Sequence, residues 1–400
     1  MRMAWMPKLL GQWKLVLGYI AGLAALFGVL WLRLNHLTPG YSPSEQATLQ
    51  HSQSFMYIFH HPFNGPFTFA VRLLLLGGSK HGLLFTRLAA TLFAAGTVVA
   101  FFLLIKYWHS TRTALFGAIL FATSAWFLHT ARLGTPDVLL FSSLVVLACG
   151  VWLKHTNSPI ALLCCFVAAC GLLYVPGMIW IIAAGALWQL PTIDRIFKKH
   201  LWIVSAGGLV FLAALLPLGL SIYHDPALAK VLAGLPANGW PAPMAALKHL
   251  ADVPVQLFAH GPNMPEHWLG HLGVLDALTA AMAILGGYLY IRHVKLTRTW
   301  LLAVVLLVGG ILVALGGSVT LTIIVPFMYM LAAAGIGFML DRWETVFPRN
   351  VIARSLGVSL VALAIAGSAW YGTRQYFVAW PHSPATHAVF TVAVSDTINR

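Results

Sequence analysis

The sequence predicts an all-α, polytopic membrane protein of about 11 transmembrane helices, with interfacial helices on its outer face. Three observations predict it. Of 400 residues, 60% are apolar and only 8% are charged, whereas soluble domains carry roughly 25% charged residues; a water-soluble surface cannot be built from so few charges. Apolar runs near the ~20 residues that a helix needs to cross the hydrocarbon recur along the whole chain. Lysine and arginine gather between alternate runs, as the positive-inside bias requires.

The runs are Leu15–Leu32, Leu83–Ile105, Thr113–Leu128, Val138–Leu153, Ile160–Leu173, Val175–Leu190, Leu201–Tyr223, Leu272–Ile291, Trp300–Leu315, Val319–Leu340 and Ile352–Tyr371. Each is expected to be a helix, because an open strand edge cannot be satisfied in lipid. Ile160–Leu190 reads as two spans, since Gly171, Pro176 and Gly177 place a turn in its middle. No internal repeat or low-complexity linker interrupts the series, so residues 1–400 read as one transmembrane domain.

With this division the inside segments hold Arg2, Lys8, Lys14, Lys106, Arg112, Lys154, Arg195, Lys198, Lys199, Arg292, Lys295, Arg298, Arg342, Arg349 and Arg354, which is 15 of the 24 basic residues. Arg33, Arg72, Lys80, Arg87, Arg132, Lys230, Lys248, Arg374 and Arg400 are spread over longer outer loops or span edges. The N-terminus is therefore expected inside and the C-terminus outside, in the cytoplasmic membrane. The first apolar run is longer than a signal-peptide core and no small-residue cleavage site follows, so it reads as a retained span. A net charge of +14 would suit a nucleic-acid binder, but these charges are short membrane flanks, and no nucleic-acid partner is expected. Cys149, Cys164, Cys165 and Cys170 lie within spans and read as small apolar packing, not as a disulfide framework.

Acidic residues are scarce, ten in all, so their placement is informative. Asp194, Asp341 and Glu344 sit in basic inside clusters. Glu45, Asp137, Asp225, Asp252, Glu266, Asp276 and Asp396 face outside or lie at that membrane edge, together with most histidines. The outer face is the expected functional face. Its first loop, from Asn35 to Gly82, contains Ser42-Pro43-Ser44-Glu45, then His60-His61-Pro62-Phe63, then the apolar stretch Phe67–Gly77, which is too short to span and suits an interfacial helix. Ser42 and Glu45 have capping-box spacing with proline at the first helical position. Asp137 follows Thr135-Pro136 at a helix start, where a carboxylate favours the positive dipole end. Both acids fit as caps, and a capped carboxylate is also well positioned for chemistry. In the long outer loop that ends at Gly270, Glu266-His267-Trp268 precedes His271. His267 and His271, at i and i+4, would face one way on a helix, a spacing suited to a divalent metal; histidine and tryptophan at a membrane edge account for the same stretch.

These segments resemble a known group. Gly82-Leu83-Leu84-Phe85-Thr86-Arg87-Leu88, Phe121-Ala122-Thr123-Ser124, Ala131-Arg132-Leu133-Gly134-Thr135-Pro136-Asp137 and Tyr376-Phe377-Val378-Ala379-Trp380 with Pro384 are similar to stretches of the GT-C glycosyltransferases, in particular the family 39 type: protein O-mannosyltransferases, lipid A aminoarabinose transferases and Rgt-like sugar transferases. The resemblance implies a GT-C-like fold and a membrane glycosyltransferase moving a sugar from a polyprenyl-phosphate donor to an outer-face acceptor, with membrane lipid around the donor tail. It implies Glu45 and Asp137 as the catalytic carboxylates, Glu45 as base and Asp137 orienting the acceptor or binding a metal. Arg132, His60 and His61 are the expected donors to the leaving phosphate. A divalent metal is the one cofactor the resemblance suggests. The sequence departs from the family where an Asp usually precedes the Glu of the first loop, since Ser44 stands there, and where Phe63 replaces a proline. The absence of a Gly-rich phosphate loop agrees with a donor that is not a nucleotide. Two other readings are open: a non-catalytic relative that binds lipid-linked glycans, which Ser44 favours, and a transporter, which would more often carry ionisable residues inside its spans.

Overall fold

Every expected span is helical in the structure, a computed structural model that describes residues 6–78, 82–237 and 239–392. Arg2, Lys80, Asp396 and Arg400, with the C-terminus itself, lie outside the described residues. In chain order the helices are α1 (Met6–Trp31), α2 (Pro43–His51), α3 (Phe55–His60), α4 (Gly65–Leu75), α5 (Gly82–Trp108), α6 (Thr111–Ala122), α7 (Ala125–Arg132), α8 (Ser143–Thr156), α9 (Pro159–Leu172), α10 (Met178–Lys199), α11 (Leu201–His224), α12 (Ala227–Leu232) and α13 (Pro243–Phe258). A two-residue hairpin, β1 (Asn263–Met264) and β2 (Trp268–Leu269), precedes α14 (Ala277–Arg292), α15 (Thr297–Ala314), α16 (Val325–Val346), α17 (Val351–Arg374) and α18 (Pro384–Val389). The chain is an all-α, multi-pass integral membrane protein.

Among the described residues, six segments are long and apolar enough to cross a membrane, seven if α6 and α7 form one bent span. The remaining members of the expected series are α1, the shorter apolar helices α9 and α14, and α10, which runs on into the charged residues Asp194 to Lys199. The Gly171–Gly177 turn is present: α9 ends at Leu172 and α10 starts at Met178, with Gly177 at φ +74° in the left-handed region.

Two of the boundaries that differ from the sequence reading do so because a polar cap outweighs the hydropathy around it. Thr113–Leu128 is not one rod. Ser124 accepts a hydrogen bond from the Phe127 N–H and starts a new helix, so α6 and α7 meet at 65°. Gly372 of α17 lies on that bend, where a Cβ would come within 2.5 Å of the Thr123 carbonyl. The eighth span begins at Ala277 and not at Leu272, because Asp276 caps α14 by accepting from the Thr279 N–H.

α16 is buried on nearly every side and forms the axis of the bundle, whereas α11 and α17 turn leucines and other apolar side chains outward. α14 presses against α16 through Gly286 and Gly335; a Cβ on Gly286 would sit 1.9 Å from the Leu331 carbonyl. Small residues at crossing points are how membrane helices gain close van der Waals contact. α4, expected as an interfacial helix, packs by Phe67 and Val71 against α5.

Candidate active site

The site gathers at the end of the bundle where α1 stops and α5 starts. α2 begins as its sequence requires. The Ser42 hydroxyl accepts from the Glu45 N–H at 3.2 Å, and the Glu45 carboxylate returns to accept from the Ser42 N–H at 2.9 Å. Glu45 is fully buried, and its remaining acceptor positions are also taken. Arg87 donates to it from Nε at 2.6 Å and Nη2 at 2.9 Å, and the Gly134 N–H donates at 2.9 Å. Arg87, itself buried, also donates to the Leu34 and Gly40 carbonyls and lies 4.2 Å over the Tyr41 ring. Burial pushes the Tyr41 phenol above its ordinary value, against the opposing pull of Arg87. A single ion pair thus ties together the loop after α1, the start of α2, the start of α5 and the loop after α7.

Gly134 is indispensable to that junction on steric grounds: a Cβ there would sit 2.2 Å from the Thr86 hydroxyl. Asp137 follows three residues later, within about 11 Å of chain, in the first turn of a 3₁₀ segment, Pro136–Ser142, that leads into α8. It is half-buried, as is Glu266. Glu266 sits at the tip of the β1–β2 hairpin and accepts from two hydroxyls of α2, Ser42 at 2.5 Å and Ser44 at 2.8 Å. His267, the next residue, is buried; burial holds its imidazole below the ordinary value although Asp137 and Glu266 both pull upward. Near neutral pH it is an uncharged ring between two carboxylates.

An aromatic wall fixes the hairpin. Trp268 is buried against Trp126, with centroids 5.3 Å apart, and His129, and its indole N–H donates to the Leu272 carbonyl at 3.0 Å. Trp380, which follows a π turn at Gln375–Ala379, donates to the Pro265 carbonyl at 3.3 Å. His129 meets Tyr376 and Trp380 edge-on at 4.6 Å. A cavity of about 530 Å³ opens beside this wall, with Ser124, Asp276, Tyr329, Ser368 and Gln375 among its lining.

The expected phosphate donors are not gathered together. Arg132 is buried between Tyr376 and Phe377 and donates to the Leu32 carbonyl at 2.5 Å and the Val29 carbonyl at 3.4 Å. A cation there answers the negative end of the α1 dipole; its Nε has no partner among the described residues. His60 and His61 are exposed at the end of α3, where His61 packs on Tyr57 and the His60 carbonyl accepts from Ser221 of α11.

The paired-histidine expectation is corrected. Residues 265–272 form a hairpin and turns, not a helix, so i, i+4 spacing does not align His267 with His271; the first is buried and the second exposed. Among the described residues, no three His, Cys, Asp or Glu side chains converge to hold a metal ion. Among the described residues, His267 and His271 therefore do not form a divalent-metal site.

No protein-family model matches the chain, and no curated protein matches it in sequence. Solved structures do. ArnT from Cupriavidus metallidurans, a lipid A aminoarabinose transferase, superposes in its apo state with TM-score 0.55 at 16% identity over 95% of this chain and 77% of its own. The same enzyme bound to undecaprenyl phosphate gives TM-score 0.51 at 17% identity over 94% and 77%. The oligosaccharyltransferase AglB from Archaeoglobus fulgidus, in complex with an inhibitory peptide and a dolichol-phosphate, gives 0.53 at 12% identity over 90% of this chain and 55% of AglB.

The chain has the GT-C fold. Within that GT-C bundle, three features of the site escaped the sequence reading: Arg87 as the partner of Glu45, Glu266 as the ligand of two serines, and the wall of Trp126, Trp268 and Trp380. The first two pairs are separated by 42 and 222 residues, beyond the reach of local spacing. The only sequence signal was the concentration of polar residues in Glu266-His267-Trp268.

Proposed function

We propose that this protein is a membrane glycosyltransferase that moves a sugar from a polyprenyl-phosphate donor to an acceptor hydroxyl on the outer face of the membrane. One observation carries the reading: a GT-C bundle brings half-buried carboxylates, Asp137 and Glu266, together beside an ion pair that has no acceptor capacity to spare. The acceptor oxygen attacks the anomeric carbon, its proton passes to a carboxylate, and the bond from the sugar to the lipid phosphate breaks with its electrons leaving on the phosphate. Asp137 orients the acceptor. Glu45, expected as the base, acts instead as a positioning residue, since every oxygen lone pair it can offer is engaged. Arg132 is the cation at hand for the departing phosphate through its unpartnered Nε.

The lipid-phosphate donor is supported by the fold neighbours, one of which was solved with undecaprenyl phosphate and another with a dolichol-phosphate. The outward orientation rests on the Lys and Arg distribution. The test is release of undecaprenyl phosphate by purified full-length protein in nanodiscs, supplied with undecaprenyl-phosphate mannose, glucose or aminoarabinose and a lysate glycolipid fraction. Turnover of one donor, abolished in Asp137→Asn, is the expected result. Unaltered donors throughout would overturn the reading and favour a lipid-glycan-binding relative.

A further inference from the structure

We infer that Glu266, presented by the β1–β2 hairpin, is the proton-accepting catalytic residue of this site. The inference rests on the transfer reading above. It starts from which carboxylates at this end of the bundle have capacity left. Glu45 has none, being saturated by Arg87, Gly134 and Ser42. Asp276 has lone pairs left but is committed as the cap of α14, accepting from the Thr279 N–H and the Ser368 hydroxyl, and it is not among the groups, Asp137, Glu266 and His267, that act on one another. Asp137 and Glu266 remain half-buried, and among the described residues no Lys, Arg or His pairs with either within 4.0 Å.

Glu266 is the better held of the two. Each of its oxygens accepts one hydroxyl proton, from Ser42 on one side and Ser44 on the other. The Ser42 hydroxyl has no freedom to turn, because it accepts from the Glu45 N–H and so directs its own proton to Glu266. A carboxylate has about four lone-pair sites, so two serine donors leave room for an acceptor hydroxyl. The hairpin tip is fixed by the Trp268 indole on the Leu272 carbonyl, the Trp380 indole on the Pro265 carbonyl and the Gly261 N–H on the Leu272 carbonyl. A base held by hydrogen bonds on a braced tip keeps the alignment that proton transfer needs.

The step balances without a further reactant. The acceptor O–H proton moves to Glu266 as its oxygen bonds to the anomeric carbon, the sugar–phosphate bond breaks, and polyprenyl phosphate leaves. Glu266 then returns the proton to the released phosphate or to water. His267, uncharged and adjacent, is a route for that return.

The same geometry gives a rescue test. The Ser44 hydroxyl lies 2.8 Å from Glu266, so a carboxylate placed at position 44 would reach the space that Glu266 occupies. In the turnover assay above, Glu266→Gln should lower kcat by about 10²- to 10⁴-fold, the range for a general base, with KM changed less than about threefold. The double variant Ser44→Asp/Glu266→Gln should regain at least tenfold over Glu266→Gln, by the same principle. A merely structural role for Glu266 would predict no such rescue. Wild-type turnover that persists in Glu266→Gln would overturn the assignment and leave the transfer reading intact. Failure of the double variant to recover would also overturn it. Absence of turnover by wild type with every donor would overturn the transfer reading, and the role of Glu266 with it.

Discussion

Replacing Glu45 by glutamine separates anchor from base. An amide presents one oxygen and one NH₂ where the carboxylate presents two acceptors. Whichever way it is placed, the NH₂ faces one Arg87 donor and one backbone N–H, either that of Gly134 or that of Ser42. One charge-assisted hydrogen bond of about 1.5–3 kcal/mol is lost and one buried N–H is orphaned at about 1–3 kcal/mol. An independent route agrees: removing one partner of a buried ion pair costs about 3–5 kcal/mol, and both side chains here are almost wholly inaccessible. For 400 residues, an unfolding entropy of roughly 2.1 cal/mol/K per residue converts that into a fall of about 4–6 °C in melting midpoint. Glu266→Gln should move the midpoint by less than about 1 °C, because the amide oxygen still accepts the fixed Ser42 proton and the Ser44 hydroxyl turns to accept from the NH₂. The assay is thermal unfolding of the full-length protein in nanodiscs, run on both variants. A Glu45→Gln midpoint equal to wild type would refute the anchoring argument, and equal falls for the two variants would refute the distinction between them.

Gly134→Ala should mimic the loss of Glu45, because its Cβ would displace Thr86 and withdraw the Gly134 N–H; a melting midpoint and turnover matching wild type would count against the junction. Burial, with Arg298 adding, lowers the His109 pKa to about 4, below the roughly 6.5 of a free imidazole. The unfolded chain therefore binds more protons between those values, so stability present above about pH 6.5 is lost as pH falls toward 4. His109→Gln should flatten that part of the melting-versus-pH curve, and an unchanged slope would contradict it. A reporter fused after Arg400 should be active only outside the membrane; cytoplasmic activity would reverse the proposed orientation.

The elements the sequence makes legible are those governed by short-range physics. Hydropathy located each apolar helix, and helix breakers located the turn before Gly177. The capping box of Ser42 and Glu45 was readable from spacing alone and is formed as written. Where a single polar residue lies inside an apolar run, a window average hides it, and so the Ser124 cap and the α6–α7 bend were missed. The paired histidines failed for the opposite reason. Their spacing has meaning only on a helix, and Pro262, Pro265 and Gly270 around them favour the turns actually formed. Nothing local to Arg87 or Glu266 names its partner, since each finds that partner only after the bundle has closed.

That last point explains why a charged pair stands where an apolar contact could pack at least as stably. A buried ion pair adds little net stability over well-packed apolar groups, but its hydrogen bonds have fixed directions, and apolar packing has none. Glu45 must receive Arg87 from α5, Gly134 from the loop after α7 and the backbone of its own cap simultaneously. Only one placement of those segments satisfies all three. The same placement turns the Ser42 and Ser44 hydroxyls toward the hairpin and sets Asp137 within reach of it. Glu45 therefore determines where the two remaining carboxylates stand, and the chemistry proposed for them depends on a residue with no free oxygen of its own.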